Sequence, residues 1–280
     1  MKRLLGAIWA VCVAAAAVAA PTDKPPFFLV SGEQGQAWLL GSVHVGQPNF
    51  YPFAEVIEQA FAESAVLALE ADTNDPQLPQ KLQPYLFAKQ PLPAPLASKL
   101  SQFCQSRAMQ CDPALAPWIL SSQLLMAEMA NSGFHSDQGV EHYFSNRLGS
   151  KSLWELEGMA LQLRVFDGLS TDTQHAMLEG AMEPMDVDEL IQAWRSGDQK
   201  TLARLTYDDM AQEPEAWQAL MVNRNQGMAR TLIDWLTQDD RLFVVVGAGH
   251  LVGEQSIPAL LKQQGLTVTN CWQQACVATD

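Results

Sequence analysis

Cations are scarce in this chain. Its 280 residues hold 17 Lys and Arg against 31 Asp and Glu, a formal net charge of −14. Such a surface repels the phosphates of nucleic acid and of anionic lipid, so neither is an expected partner. Cysteine is rare too, five in all, and no two stand in C-x-x-C spacing, which argues against a zinc knuckle. Beyond the first 20 residues no apolar run reaches the roughly 20 residues that cross a bilayer. There is no G-x-S-x-G, no H-E-x-x-H and no papain-like cysteine context, which removes the commonest hydrolase signatures. "GAGHLVG" (247–253) approximates a phosphate-cradling loop. No Asp or Glu lies between Glu254 and Asp280, however, so the dinucleotide fingerprint is incomplete. Repeats of solenoid period and low-complexity tracts past the start of the chain are also missing.

What is present begins with "MKRLLGAIWAVCVAAAAVAA". Lys2 and Arg3 precede an apolar run ending in small residues, which reads as a secretory signal peptide over 1–19. Cutting after Ala19 places Ala17 and Ala19 at the small-residue positions, whereas cutting after Ala20 would put Pro21 beside the scissile bond. The expected product is exported, periplasmic or secreted, with no stable membrane anchor. Without Lys2 and Arg3 it carries 15 Lys and Arg against 31 Asp and Glu, a net of −16. Four cysteines remain, Cys104, Cys111, Cys271 and Cys276, an even number suited to two disulfides in an oxidising compartment. Three pairings are open, and proximity favours Cys104–Cys111 with Cys271–Cys276.

Apolar content of 48% is ample for a packed core. "FFLVSGEQGQAWLLGSVH" reads as a hairpin around a Gly-containing turn. A helix is expected from Pro52 through about Ala62, with Val56, Ile57, Ala60 and Phe61 inward. A strand follows at 64–70, and "KSLWELE" (151–157) is a third sheet-like run. "RLFVVVG" returns to the sheet, a helix spans about 255–264, and "LTVT" closes as an edge strand. Between these lie proline-punctuated amphipathic pieces and a long helical stretch. The fold class expected is α/β, a mixed sheet with a large inserted helical lobe. It forms a single domain over 20–280, with sheet core at about 27–74, 151–157 and 241–270. The lobe covers about 75–150 and 158–236.

Two of the strand ends share a shape. "WLLGSVHVG" and "VVVGAGHLVG" are apolar runs that stop at Gly-x-x-His, with Gly41 leading to His44 and Gly247 to His250. Such glycines either permit close backbone approach or supply a positive φ. Clefts in α/β sheets open at the carboxyl ends of strands, so the two imidazoles are expected to meet there. Two more strands end in acids, Glu70 followed by Asp72, and Glu157. Alternation puts Glu70 on the face of Val66 and Ala68, and Glu157 on that of Leu153 and Glu155. In "LMVNRNQGMARTLIDWL", Arg224 and Asn225 fall on the same helical face as Met221 and Met228. A buried arginine there needs a carboxylate, either Glu70 or Glu157, or else aims at a substrate oxyanion. His135, His142 and His175 read as surface residues.

On these residues the chain resembles the TraB/PrgY/GumN family, related to the Tiki proteins that cleave Wnt ligands. The matching stretches are "LLGSVHVG", "YPF…EVIEQAF", "LALEAD", "LWELEGMALQL", "NRNQGMA" and "VVVGAGHLVG…IPALLKQQGLTV", which cover most of the chain in order. The resemblance implies a sheet core with a helical lobe and, for Tiki-like members, peptidase activity supported by manganese or cobalt. It also implies that His44 and His250 are the motif histidines, Glu70 the acid closing the second strand, and Arg224 with Asn225 the family's Arg-Asn pair. The pheromone-shutdown members of the family sequester peptides rather than cut them.

The resulting expectation is a metal-dependent hydrolase acting on a peptide or protein. His44, His250 and Glu70 would hold a divalent ion (Mn, Co or Zn) and leave a position for water. Glu157 or Asp72 would be the general base, and Arg224 with Asn225 would stabilise the oxyanion. Two rivals stand beside it. One is a peptide-binding protein that cleaves nothing; the other is a metal or haem carrier.

Overall fold

The computed structural model describes residues 21–207, 210, 213–238 and 241–276. The expected signal peptide and its cleavage point lie outside the described residues. Six strands form one mixed sheet: β1 (Phe27–Ser31), β2 (Gln36–Ser42), β3 (Val66–Leu69), β4 (Ser152–Glu155), β5 (Arg241–Gly247) and β6 (Thr267–Asn270). Their order across the sheet is β4-β3-β5-β2-β1-β6. β2, β3, β4 and β5 run parallel, while β1 pairs antiparallel with both β2 and β6. The mixed α/β architecture expected from the sequence is therefore the one observed, with the 27–42 hairpin in place and β6 as an edge strand.

Both faces of the sheet are covered, which is why its central strands read as continuous apolar runs rather than alternating ones. On one face Trp38, Leu40, Leu67, Leu69, Phe243 and Val245 pack against Phe61, Phe144 and Trp194 from three helices, Glu55–Glu63, Val140–Ser145 and Val187–Ser196. On the other, Leu39, Ala68, Val244 and Val246 meet Met228 and Leu232 of the Asn223–Trp235 helix and Leu261 of Ile257–Gln263. Each such side chain buried in full contributes about 1.5–3 kcal/mol of transfer free energy. Helices Ala94–Ser106, Pro117–Asn131 and Thr171–Gly180 gather a core of their own around Leu100, Leu120 and Leu178. Cys104–Cys111 is bonded within it, and Cys271–Cys276 just past β6.

Element boundaries differ from the sequence expectation, at two places near the site in particular. The helix expected from Pro52 starts at Glu55, because Glu58 reaches back to accept the Phe53 N–H at 2.9 Å and holds the preceding residues in a turn. The strand expected over 64–70 is confined to Val66–Leu69, since Ser64 closes the helix before it through its backbone N–H to Phe61 and its hydroxyl to Ala60. Glu70 is thereby left just beyond the strand.

Candidate active site

Four parallel strands end in one row. Leu40 is opposite Val245, Val245 opposite Leu69, and Leu69 opposite Glu155. The residues that follow, His44, Glu70, Glu157 and the Ala248–Leu251 turn carrying His250, consequently come together at the carboxyl edge of the sheet. Neither Gly41 nor Gly247 has a positive φ, and Gly41 serves close approach. A Cβ on Gly41 would stand 3.0 Å from Pro26 and 3.1 Å from the Ala248 backbone.

The centre of the site is an arginine held between two carboxylates. Arg224 donates from Nε to both Glu157 oxygens at 3.0 and 3.1 Å, and from Nη2 to Glu157 at 2.7 Å and to Glu70 Oε2 at 2.5 Å. The side chains of Arg224, Glu70 and Glu157 are only 10%, 12% and 2% exposed. Gln162 adds donors to both acids, at 3.1 and 3.3 Å. Glu70 Oε1 accepts the Gly247 N–H at 2.7 Å. A six-residue π-helical turn, Trp217–Val222, precedes the helix that carries Arg224 and Asn225 in its first turn, a distortion frequent at functional sites.

The two imidazoles are each fixed through Nδ1. His250 Nδ1 lies 2.6 Å from Asn225 Oδ1. Asn225 Nδ2 donates to Gln255 O at 2.7 Å, so its Oδ1 is the acceptor and the His250 proton sits on Nδ1. The bare Nε2 of His250 then faces Glu70 Oε1 at 3.8 Å. His44 Nδ1 meets Glu141 Oε1 at 2.8 Å, and Ser42 Oγ donates to the same oxygen at 2.5 Å. Glu141 reaches His44 because its helix docks end-on: the Val140 N–H donates to Val43 O, and a Cβ on Gly139 would lie 2.5 Å from His44 O.

This geometry changes several expected roles. Asn225 is 1% exposed, with Oδ1 turned to His250 and Nδ2 donating to Gln255 O, and it lies outside the cavity lining, so it positions His250 rather than meeting an oxyanion. Glu157 is spent on Arg224, and β4 ends at Glu155, so strand alternation does not govern it. Asp72 caps the Asn74 N–H and lies outside the cavity lining. His142, expected at the surface, lines the cavity; His135 is exposed and His175 half-buried. Glu141, Gln162 and Ser42 were not expected at all. The one sequence signal for Glu141 is its place in the first turn of an amphipathic helix after Gly139. The cavity itself, about 350 Å³, is lined by His44, Glu70, Glu141, His142, Gln162 and Arg224, with Met126 and Phe166 as its large apolar side chains.

Charge follows from these contacts. The Glu141 carboxylate raises the His44 pKa to about 9, although the ring is 67% exposed. Burial alone would push Glu70 up, but His250 and Arg224 outweigh it and draw its pKa down to about 2. Burial drives His250 down to about 4, keeping it neutral. Burial opposes ionisation of Glu141 too, yet the His44 charge and its hydrogen bonds hold that pKa below its ordinary value.

Folding stability inherits these shifts. The His250 contribution is complete above its ordinary 6.5 and is lost as pH falls through about 4; that of Glu70 is complete above 4.5 and lost towards 2. His44 contributes below 6.5 and loses its share as pH rises through about 9, an effect screened by its exposure. Metal-free protein should therefore be most resistant to urea near pH 6.5, with a steep decline on the acid side and a shallow one on the alkaline side. His250→Gln should flatten the segment between pH 6.5 and 4; an unchanged slope there would refute the assignment.

No group of three or more His, Cys, Asp or Glu side chains forms a ready-made metal cluster among the described residues. The donor chemistry nevertheless suits a cation. His250 Nε2 faces a carboxylate oxygen of Glu70, and the Nδ1 atoms of both His250 and His44 are tied to partners that orient the rings. All three side chains approach one point: a Cβ built on Gly247 would stand 3.4 Å from Glu70 Oε1, 3.6 Å from His250 Cδ2 and 3.9 Å from His44 Nε2.

In comparisons with known proteins, residues 26–270 match the profile of the TraB/PrgY/gumN family. An uncharacterized protein of Treponema pallidum (strain Nichols) is 21% identical over 268 residues, covering 86% of this chain and 81% of its own. No solved structure gives a significant match.

Proposed function

The chain belongs to the TraB/PrgY/gumN family, and from that premise we propose that it is an exported metal-dependent hydrolase that cuts peptide bonds. The observation that carries the reading is the pair of oriented imidazoles facing Glu70 across the space beside Gly247. His44 and His250 would offer Nε2, and Glu70 its Oε1, to a divalent ion such as manganese, cobalt or zinc. An ion held there would supply Lewis acidity, polarising a carbonyl and acidifying a water. Arg224 keeps Glu70 ionised and presents its guanidinium to the cavity, where it can meet a developing oxyanion. Glu141 and Asn225 hold the two rings in register. Met126 and Phe166 give the cavity an apolar wall for a substrate side chain. Two disulfides support export to an oxidising compartment, and among the described residues no helix is long and apolar enough to cross a membrane.

A second reading, peptide capture without cleavage, is favoured by one observation: Glu70 is already engaged by Arg224 and the Gly247 N–H. Metal content separates the two. Protein purified without chelator is expected to hold one divalent ion per chain, lost in both His44→Ala and His250→Ala while circular dichroism is unchanged. It should also cleave a peptide library in a chelator-sensitive manner. If wild-type protein takes up no manganese, cobalt or zinc when each is offered, the hydrolase reading fails, and peptide binding in the presence of chelator becomes the expected activity.

A further inference from the structure

A second cavity, about 490 Å³, lies on the far side of the Arg224–Glu157 pair, and Arg224 lines both. It runs between two helices. Leu161, Arg164 and Val165 of Met159–Asp167 face it at i, i+3 and i+4 spacing, whereas Gln162 and Phe166 of the same helix face the first cavity. Asn223, Gly227, Arg230 and Thr231 of Asn223–Trp235 form the opposite wall.

Its charge is unlike that of the rest of the molecule. In a chain of net charge −14, this groove is lined by three arginines, Arg164, Arg224 and Arg230, against two acids, Glu157 and Glu215. Both acids are engaged. Glu157 is bonded to Arg224, and Glu215 accepts from the Ser170 N–H at 2.8 Å, Ser170 Oγ at 2.5 Å and Thr173 Oγ1 at 2.5 Å. Arg164 and Arg230 are exposed and form no ion pair among the described residues, although Arg107, Arg147, Arg195, Arg204 and Arg224 all do. Two guanidinium forks with no ion pair among the described residues thus line the groove together with Leu156, Leu161 and Val165, and Leu161 is 38% exposed.

We propose that this groove binds the C-terminal carboxylate of a peptide, with Arg164 and Arg230 pairing to the carboxylate and the apolar floor taking the last side chain. Guanidinium forks match carboxylates in geometry as well as charge, and the shared Arg224 wall sets the groove beside the proposed hydrolytic cavity. The substrate class is then peptides with a free, apolar C-terminal residue. The proposal rests on the peptide reading above.

The test measures anisotropy of a short fluorescein-labelled peptide ending in leucine, as the free acid and as the C-terminal amide, against full-length mature protein. The free acid should bind about tenfold tighter than the amide at low salt, with the advantage shrinking as ionic strength rises. Arg164→Ala/Arg230→Ala should erase that advantage without altering circular dichroism, since neither side chain pairs with a buried group. Equal binding of acid and amide, no saturable binding of either, or an advantage that survives in the double variant would each overturn the site. Cleavage is scored separately. Turnover with no carboxylate preference would remove the groove and leave the hydrolase, whereas an Arg164- and Arg230-dependent preference without turnover would do the reverse.

Discussion

Arg224→Met should cost about 3–5 kcal/mol of folding stability, the penalty for removing one partner from a buried ion pair. Arg224 is the one guanidinium between Glu70 and Glu157, and Glu157 is nearly inaccessible to water. Without it, two carboxylates that share Gln162 as a donor face each other with no opposing charge from the helix. Methionine keeps the volume and the helix propensity, so the loss reports charge rather than a cavity. Adding Glu157→Leu removes one of the two carboxylates left without the arginine and should restore part of the stability, with Glu70 still holding the Gly247 N–H and Gln162. Urea denaturation at neutral pH measures both. A loss below about 1 kcal/mol for Arg224→Met would show that water reaches these acids and that the network is not buried in solution.

Gly247→Ala is expected to leave the fold intact and abolish the proposed chemistry. At φ −49° and ψ 134° any L-residue is comfortable, and the new Cβ would meet its neighbours at 3.4–3.9 Å, ordinary contact distances. Those neighbours are Glu70 Oε1, the His250 ring and His44 Nε2, so the methyl group is placed against all three side chains of the proposed ion site. Divalent-ion binding should weaken by at least tenfold and peptide turnover fall by about 100-fold, the scale expected when a reacting group is displaced by about an ångström. Calorimetric metal titration beside thermal unfolding checks both halves. An alanine variant that binds metal and turns over like wild type would move the site away from Gly247.

Much of this was legible in the residues themselves. Long apolar runs identify strands buried on both faces, and strand–helix–strand spacing argues for a parallel pair, whose carboxyl ends share one edge. The repeated Gly-x-x-His by itself directs His44 and His250 to that edge. An arginine on the apolar face of its helix demanded a carboxylate, because a lone buried charge is untenable. Both candidate acids turned out to answer that demand.

The tertiary structure decided which polar atoms are left over. Periodicity states which face a side chain takes, but the partner on that face comes from wherever the topology delivers it. Glu141 joins Ser42 across 99 residues of sequence and sets the state of His44. Asn225 is buried between His250 and Gln255, and Glu157 spends its carboxylate on Arg224, so neither is free to meet substrate. Gln162 and Arg164 stand on one helix yet face different cavities, a division that exists only because another helix packs alongside. The strands and their glycines are local properties, carried by each short segment alone. Hydrogen-bond saturation is a property of the assembled neighbourhood, and it is what separates a group that positions its neighbour from one that can act on a ligand.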